Sequence, residues 1–155
     1  MRIYTSYFSN LDRLEAAGIY PVAVCNKVPA FFRGPNIESV APNNSILWEY
    51  KKSAGTPDDQ DRYRQRYINE VLCVYRFHPE YFTQLLESFS QSEDGKDIAL
   101  LCYERPEDFC HRHILAGWMN ERLSGTYVIE EYPDYPQKKT KTKLESTIIK
   151  QNELF

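Results

Sequence analysis

The sequence predicts an α/β domain with a small, mostly parallel sheet and helices on both faces, followed by a flexible C-terminal tail. Apolar runs of strand length alternate with segments of helical periodicity, which is the pattern of a parallel sheet with right-handed crossovers. Two of these runs are apolar without alternation, as strands buried on both faces are. The 155 residues, of which 42% are apolar, suffice for one core and exclude a disordered chain.

Four strands are expected. The short aromatic and β-branched run Ile3–Phe8 begins the domain. Tyr20–Cys25 and Asp97–Tyr103 are continuously apolar and are therefore predicted to be central strands. Tyr127–Glu131 is the last short strand.

Five helical segments connect these strands. Asn10 is a predicted helix cap, and Gly18 stands where that first helix would end. Later segments carry apolar residues three and four apart, which is the spacing of an amphipathic helix. The predicted helices are Leu11–Ala17, Ile46–Lys51, Asp61–Leu72, a segment that begins at Pro79, and Glu107–Leu123.

Composition narrows the class of protein. No stretch approaches the roughly 20 apolar residues that a membrane helix needs, and the first residues carry no secretory signal. We therefore expect a cytoplasmic protein whose four cysteines are reduced thiols. The net charge of −3 argues against a protein that coats nucleic acid with its whole surface.

The strand–turn–helix that begins at Asp97 contains the candidate functional residues. Ligands of parallel sheets bind beyond the carboxyl ends of strands, next to helix N-termini. Cys102 and Glu104 lie two apart and are predicted to point to the same side. Two apolar rows of the helix must face the sheet, and Cys110 and His111 begin them: Cys110–Ile114–Trp118 and His111–Leu115–Met119. These four polar side chains should meet at one pocket, whereas Arg112 and His113 are expected to point more to solvent.

Each of these residues has a functional and a structural interpretation. Cys110 beside His111 at a helix N-terminus suits a nucleophile, with Glu104 as a general base or a partner for a ribose hydroxyl. Arg112 would bind a phosphate. Alternatively, Cys110 is a small core residue, His111 donates to a carbonyl, and Arg112 pairs with Asp108.

Metal, disulfide and cofactor sites are not expected. Side chains of adjacent residues on a helix diverge by about 100°, which argues against a zinc site that uses both Cys110 and His111 with Cys102 and Glu104. No Cys-x-x-Cys spacing supports a Cys102–Cys110 disulfide switch. No glycine-rich nucleotide loop is present, so a nucleotide cofactor bound in the usual way has no support, and the sequence does not identify a cofactor.

The segment ALLCYERPEDFCHRHILAGWM resembles the DUF488 family, small cytoplasmic α/β proteins of bacteria and phages without established function. The resemblance covers about residues 2–132, including IYTSYF, PVAVC and VPAFFRG. It implies a site formed by the residues that match the family's motif, Cys102, Glu104, Cys110, His111 and Arg112. Relatives commonly carry Ser-Arg after the second strand, where this chain has Asn26-Lys27. If that Arg binds a ligand, Lys27 or Arg33 would replace it.

The C-terminal segment is predicted to be a separate tail. Five Lys and two Glu give residues 137–155 a charge of +3 and leave −6 on residues 1–136, the predicted domain. The end, QNELF, is similar to the pentapeptide by which bacterial replication and repair proteins dock on the DNA sliding clamp. Gln151 would hydrogen-bond there, and Leu154 and Phe155 would be the apolar anchors. Alternatively, the tail folds back onto the domain.

Together these features predict a protein of DNA repair or replication. Its pocket would bind a nucleotide or nucleic acid, with Glu104, Cys110 and His111 for chemistry and Cys102 and Arg112 for binding. Aromatic residues would offer stacking platforms or simply fill the core: Tyr50, Tyr63, Phe31 and Phe32. A binding module without catalysis and a thiol-based or metal-based sensor are the alternatives.

Overall fold

A computed structural model of the protein describes residues 1–133. It contains one sheet of four strands in which every neighbouring pair is parallel, in the order β2-β3-β1-β4. The strands are β1 (Ile3–Tyr7), β2 (Tyr20–Ala23), β3 (Ile98–Cys102) and β4 (Ile129–Glu131). The predicted class is confirmed, and each predicted strand is present within one or two residues of its bounds.

Five α-helices connect the strands: α1 (Leu11–Ala16), α2 (Asn44–Lys52), α3 (Pro57–Glu70), α4 (Glu80–Ser92) and α5 (His111–Arg122). α3 begins four residues earlier than predicted because Thr56, the N-cap, and Asp59, the third helical residue, form a reciprocal capping box on either side of Pro57. α5 begins four residues later than predicted, since Cys110 is extended and ends the preceding loop. Among the described residues, no helix is long and apolar enough to cross a membrane.

Helices cover both faces of the sheet, and each face has its own core. α2 to α5 pack on one face, where Leu100 and Ile98 of β3 meet Tyr67, Phe82 and Leu115. α1 covers the other face together with the loop after β2, in a smaller core with residues such as Leu14, Phe32 and Leu101. Burial of these apolar side chains is the main force that holds the layers together.

Strand register brings distant polar residues together at the carboxyl edge of the sheet. Tyr7 pairs with Cys102, and Thr5 pairs with Glu131 on the other side of β1. Because residues two apart on a strand share a face, these four side chains point to the same side as Ile3 and Leu100, toward α5. The N-terminus of α5 therefore begins directly above this polar row.

Candidate functional site

A cavity of about 790 Å³ opens at the carboxyl ends of β2 and β3, beside the N-terminus of α5. Its floor is formed by three buried side chains, Cys102, Cys110 and His111. Its polar rim includes Lys27, Lys51, Gln60, Glu104, Glu107 and Asp108. This is where ligands of open parallel sheets bind.

An aromatic cluster walls the cavity. Tyr50, Tyr63 and Phe109 contact one another with ring centroids 5.0–5.5 Å apart, mostly edge to face. Burial raises the pKa of the Tyr63 hydroxyl well above its ordinary value, so this side chain is neutral. Such a cluster is an apolar surface of ring faces and edges against which a planar ligand can pack.

The sulfur atoms of Cys102 and Cys110 are in contact at the floor of the cavity. Cys102 is the last residue of β3, and Cys110 is the N-cap of α5. The prediction that these cysteines meet at one pocket is confirmed, whereas the expectation that they would not pair is wrong, because the seven-residue turn 103–109 returns Cys110 onto the strand end. Their Cα atoms are 7.9 Å apart, wider than the roughly 4.4–6.8 Å that a disulfide usually spans.

His111 lies on the floor as a neutral imidazole. Its Nε2 lies 2.5 Å from the carbonyl oxygen of Val24 and donates to it, so Nδ1 carries the lone pair. Nδ1 is 4.0 Å from the sulfur of Cys110. Burial, with help from the positive charge of Arg112, lowers the pKa of His111 to about 4 despite the bond to Val24. The prediction that Cys110 and His111 face inward is confirmed.

Arg112 is fully buried, which corrects the expectation that it points to solvent; the alternative pair with Asp108 is not formed either, since Arg112 pairs with Glu131. Its Nη1 donates to the sulfur of Cys102 at 3.0 Å and to the carbonyl oxygen of Glu104 at 2.6 Å, and lies 3.6 Å from the sulfur of Cys110. It lies beneath the two sulfurs and is not part of the cavity lining. A ligand in the cavity therefore does not reach its guanidinium.

Glu131 is a site residue that the sequence analysis missed. It accepts two hydrogen bonds from Arg112, from Nε at 3.2 Å and from Nη2 at 3.0 Å. Thr5 donates to it at 2.6 Å, and Nε2 of His113 lies 3.0 Å away. Burial alone would raise the pKa of Glu131, but the bonds from His113, Arg112 and Thr5 lower it to about 2. The charge of Arg112 is thus compensated by a carboxylate on its far side.

The comparisons with known proteins identify the family. A model described as the active DUF488-N3 subclade matches residues 34–123, more than half of the chain. The chain belongs to the DUF488 family. No curated protein and no solved structure matches it significantly. All five residues of the DUF488 motif lie in the matched segment, whereas Thr5 and Glu131 lie outside it.

The other residues proposed from the sequence are spread over three places. Glu104 is on the rim of the cavity, with Oε1 3.6 Å from the sulfur of Cys102, and Lys27 also lies on this rim. Arg33 lines a separate depression of about 610 Å³ beside α1, so it does not join them. Residues 151, 154 and 155 of the tail lie outside the described residues.

Cys25 is a third thiol of the pocket, also not predicted as a site residue. It follows β2 and lies in the cavity lining, and its sulfur donates to the carbonyl oxygen of Lys27 at 3.4 Å. Burial raises the pKa of this thiol to about 11, so it is protonated at neutral pH. At neutral pH Cys25 is therefore a poorer nucleophile than an unburied thiol.

The floor offers a set of donor atoms for a metal ion. The sulfur atoms of Cys102 and Cys110 and a ring nitrogen of His111 all lie within 4.8 Å of one another. The argument that adjacent residues diverge on a helix does not apply, because Cys110 has extended φ and ψ of −153° and 143° and only His111 is helical. The extended residue turns its side chain back toward that of its neighbour.

Proposed function

We propose that this DUF488 protein binds a nucleotide or nucleic acid in the cavity at the carboxyl edge of its sheet and acts on it from the sulfur floor. The observation that carries the proposal is the combination of an aromatic wall with a floor of Cys102, Cys110 and His111 in one open cavity. A base would stack on the partly exposed rings of Tyr50 and Phe109, since every base has a π-face and stacking is tolerant of sequence.

Polar side chains on the rim would orient the ligand in the cavity. Lys27 and Lys51 would pair with phosphate, the role that Arg112 cannot take because it is buried. Glu104 stands beside the floor as a group that accepts a proton or binds a ribose hydroxyl. Cys110 and His111 face the ligand from the floor and complete the proposed catalytic set.

Binding of nucleoside monophosphates to the full chain, measured by calorimetry, tests the pocket. Loss of a stacking ring costs about 1–3 kcal/mol, so Tyr50→Leu should weaken binding by roughly 5–150-fold. Phe31→Leu, in the separate depression beside α1, is the matched control and should bind as the wild type does. Equal affinities of the Tyr50 variant and the wild type, or no binding of any nucleotide, would contradict the proposal.

We also propose that the protein acts in DNA repair or replication in the cytoplasm, and that Gln151, Leu154 and Phe155 dock on the sliding clamp. Titration of the full chain with purified clamp tests this part. Leu154→Ala with Phe155→Ala should weaken binding at least tenfold, because buried anchors dominate such contacts. Ile148→Ala with Ile149→Ala removes apolar tail residues outside the motif and should leave the affinity unchanged. Equal losses in both pairs would refute docking through the pentapeptide.

A thiol-based or metal-based sensor is the second candidate function. It is favoured by the convergence of Cys102, Cys110 and His111, which does not depend on any nucleotide.

A further inference from the structure

We infer that Cys102, Cys110 and His111 form a binding site for Zn²⁺ or a similar transition metal ion, with one coordination position open to the cavity. The inference rests on the proposed function only for the identity of the ligand that would approach this open position. Metal binding itself can be measured without any nucleotide.

The donor atoms fit such an ion. Bonds of about 2.0–2.3 Å in a tetrahedral zinc site place the donor atoms roughly 3.3–3.8 Å apart. The three atoms of the floor lie within 4.8 Å of one another, and the two sulfurs, which are in contact here, would move apart to bind the ion. Two sulfurs and one imidazole are donors that zinc prefers. The 7.9 Å between the Cα atoms of Cys102 and Cys110 is too wide for an ordinary disulfide, so rotation of the two side chains can separate the sulfurs enough for both to bind one ion.

The groups around the floor are those that support metal ligands. His111 is held through Nε2 by the carbonyl oxygen of Val24, so its Nδ1 is the nitrogen left for an ion. Ligating histidines regularly donate their other N–H to a backbone carbonyl or a carboxylate. Arg112 donates to the sulfur of Cys102 and lies close to that of Cys110, on the side away from the cavity. The ion would lie on the cavity side of the sulfurs.

The buried charges favour an ion of charge +2. Arg112 is already paired with the two oxygens of Glu131, so this ion pair contributes no net charge to the floor. Metal binding deprotonates both cysteines, and their charge of −2 would be costly in this buried place without the charge of the ion. A divalent cation reduces this sum to zero, with His111 as a neutral ligand.

An open position follows from the shape of the site. The described residues supply three convergent ligands rather than four, and the cavity lies on the free side. Structural zinc sites are closed by four protein ligands, whereas catalytic sites keep one position for water or substrate. Glu104 stands at this edge, with Oε1 3.6 Å from the sulfur of Cys102.

Metal analysis of the reduced full-length chain, purified from zinc-supplemented cells, tests the inference. We expect about one Zn²⁺ per chain, and Co²⁺ titration should give the visible and near-ultraviolet bands of a thiolate-bound tetrahedral ion. Cys102→Ser and Cys110→Ser should each lower the affinity for Co²⁺ at least tenfold. Cys25→Ser, in the lining of the same cavity, is the matched control and should bind as the wild type does.

Protection of thiols gives a second measurement that needs no variant and so does not depend on folding of the substituted chains. Zn²⁺ should slow alkylation of Cys102 and Cys110 in the wild type, identified by mass spectrometry, without slowing that of Cys73. Absence of stoichiometric metal and of protection would overturn the inference. Metal binding without nucleotide binding would support it and refute only the proposed ligand.

Discussion

Substitution of Glu131 by Gln is the sharpest test of how the floor is held. Gln keeps the size of the side chain and removes the charge that faces the fully buried Arg112. The variant leaves a guanidinium in the protein interior without its carboxylate, which is far more costly than the loss of an exposed ion pair.

Two arguments give the magnitude. A folded-state pKa of about 2, against the ordinary 4.5, corresponds to roughly 3 kcal/mol of stability at neutral pH. Since the side chain of Glu131 is 24% exposed, solvent screening reduces this to about 2 kcal/mol. Removal of one partner of a buried ion pair typically costs about 3–5 kcal/mol. We therefore expect Glu131→Gln to lower the free energy of unfolding by about 3 kcal/mol at pH 7.

The loss of stability in Glu131→Gln should become smaller as the pH falls. Because the folded-state pKa of Glu131 is lowered, its contribution is complete above about pH 5 and is lost as the pH falls toward 2. The difference between wild type and Glu131→Gln should therefore shrink between pH 5 and pH 2. Urea unfolding followed by tryptophan fluorescence, in chelator and reductant, measures this difference at pH 7, 5 and 3.

Glu130→Gln is the control on the same strand. Glu130 is exposed, and as the neighbour of Glu131 it points to the opposite face of β4, so its substitution should change stability by less than about 0.5 kcal/mol. A loss below 1 kcal/mol for Glu131→Gln at pH 7, or an equal loss at pH 7 and pH 3, would refute the reasoning.

Three further substitutions test the fold that positions the site, each by urea unfolding. Tyr67→Phe should cost about 1 kcal/mol, because its buried hydroxyl donates to the carbonyl oxygen of Val40 at 2.6 Å; no change would show that this bond has no net worth. Thr56→Ala removes the cap of α3 and should also cost about 1 kcal/mol, unlike Thr56→Ser, which keeps the hydroxyl. Gly34→Ala places a Cβ 2.8 Å from the carbonyl oxygen of Pro21 and should cost about 1–3 kcal/mol; an unchanged midpoint would contradict this clash.

The two apolar rows of α5 made the direction of Cys110 and His111 predictable from the sequence. They did not reveal that a third row, which holds Arg112, Ala116 and Asn120, is also covered. Asn120 exchanges two hydrogen bonds with the backbone of Ile129, so this row faces β4. Which strand lies beside a helix depends on strand order, and strand order is not encoded in any local pattern.

The start of α5 was missed for a related reason. The sequence predicts a helix from Glu107, whereas α5 begins at His111. The structure shows that Phe109 instead packs against Tyr50 and Tyr63, outside the helix. The apolar side chain of Phe109 therefore indicated that this residue packs inward, but not that its backbone lies outside the helix. The contact between the sulfurs of the floor depends on this non-helical backbone.

The bond between Thr5 and Glu131 joins residues 126 positions apart, through the pairing of β1 with β4. A ribosome makes β1 among the first residues of this segment and β4 after all the other strands. Until β4 has left the ribosome, Arg112 cannot pair with the carboxylate of Glu131. The floor residues that Arg112 contacts therefore lack this support. The emerging chain therefore carries its cysteines without an assembled site, and the pocket is completed in one of the last steps of the domain's biosynthesis.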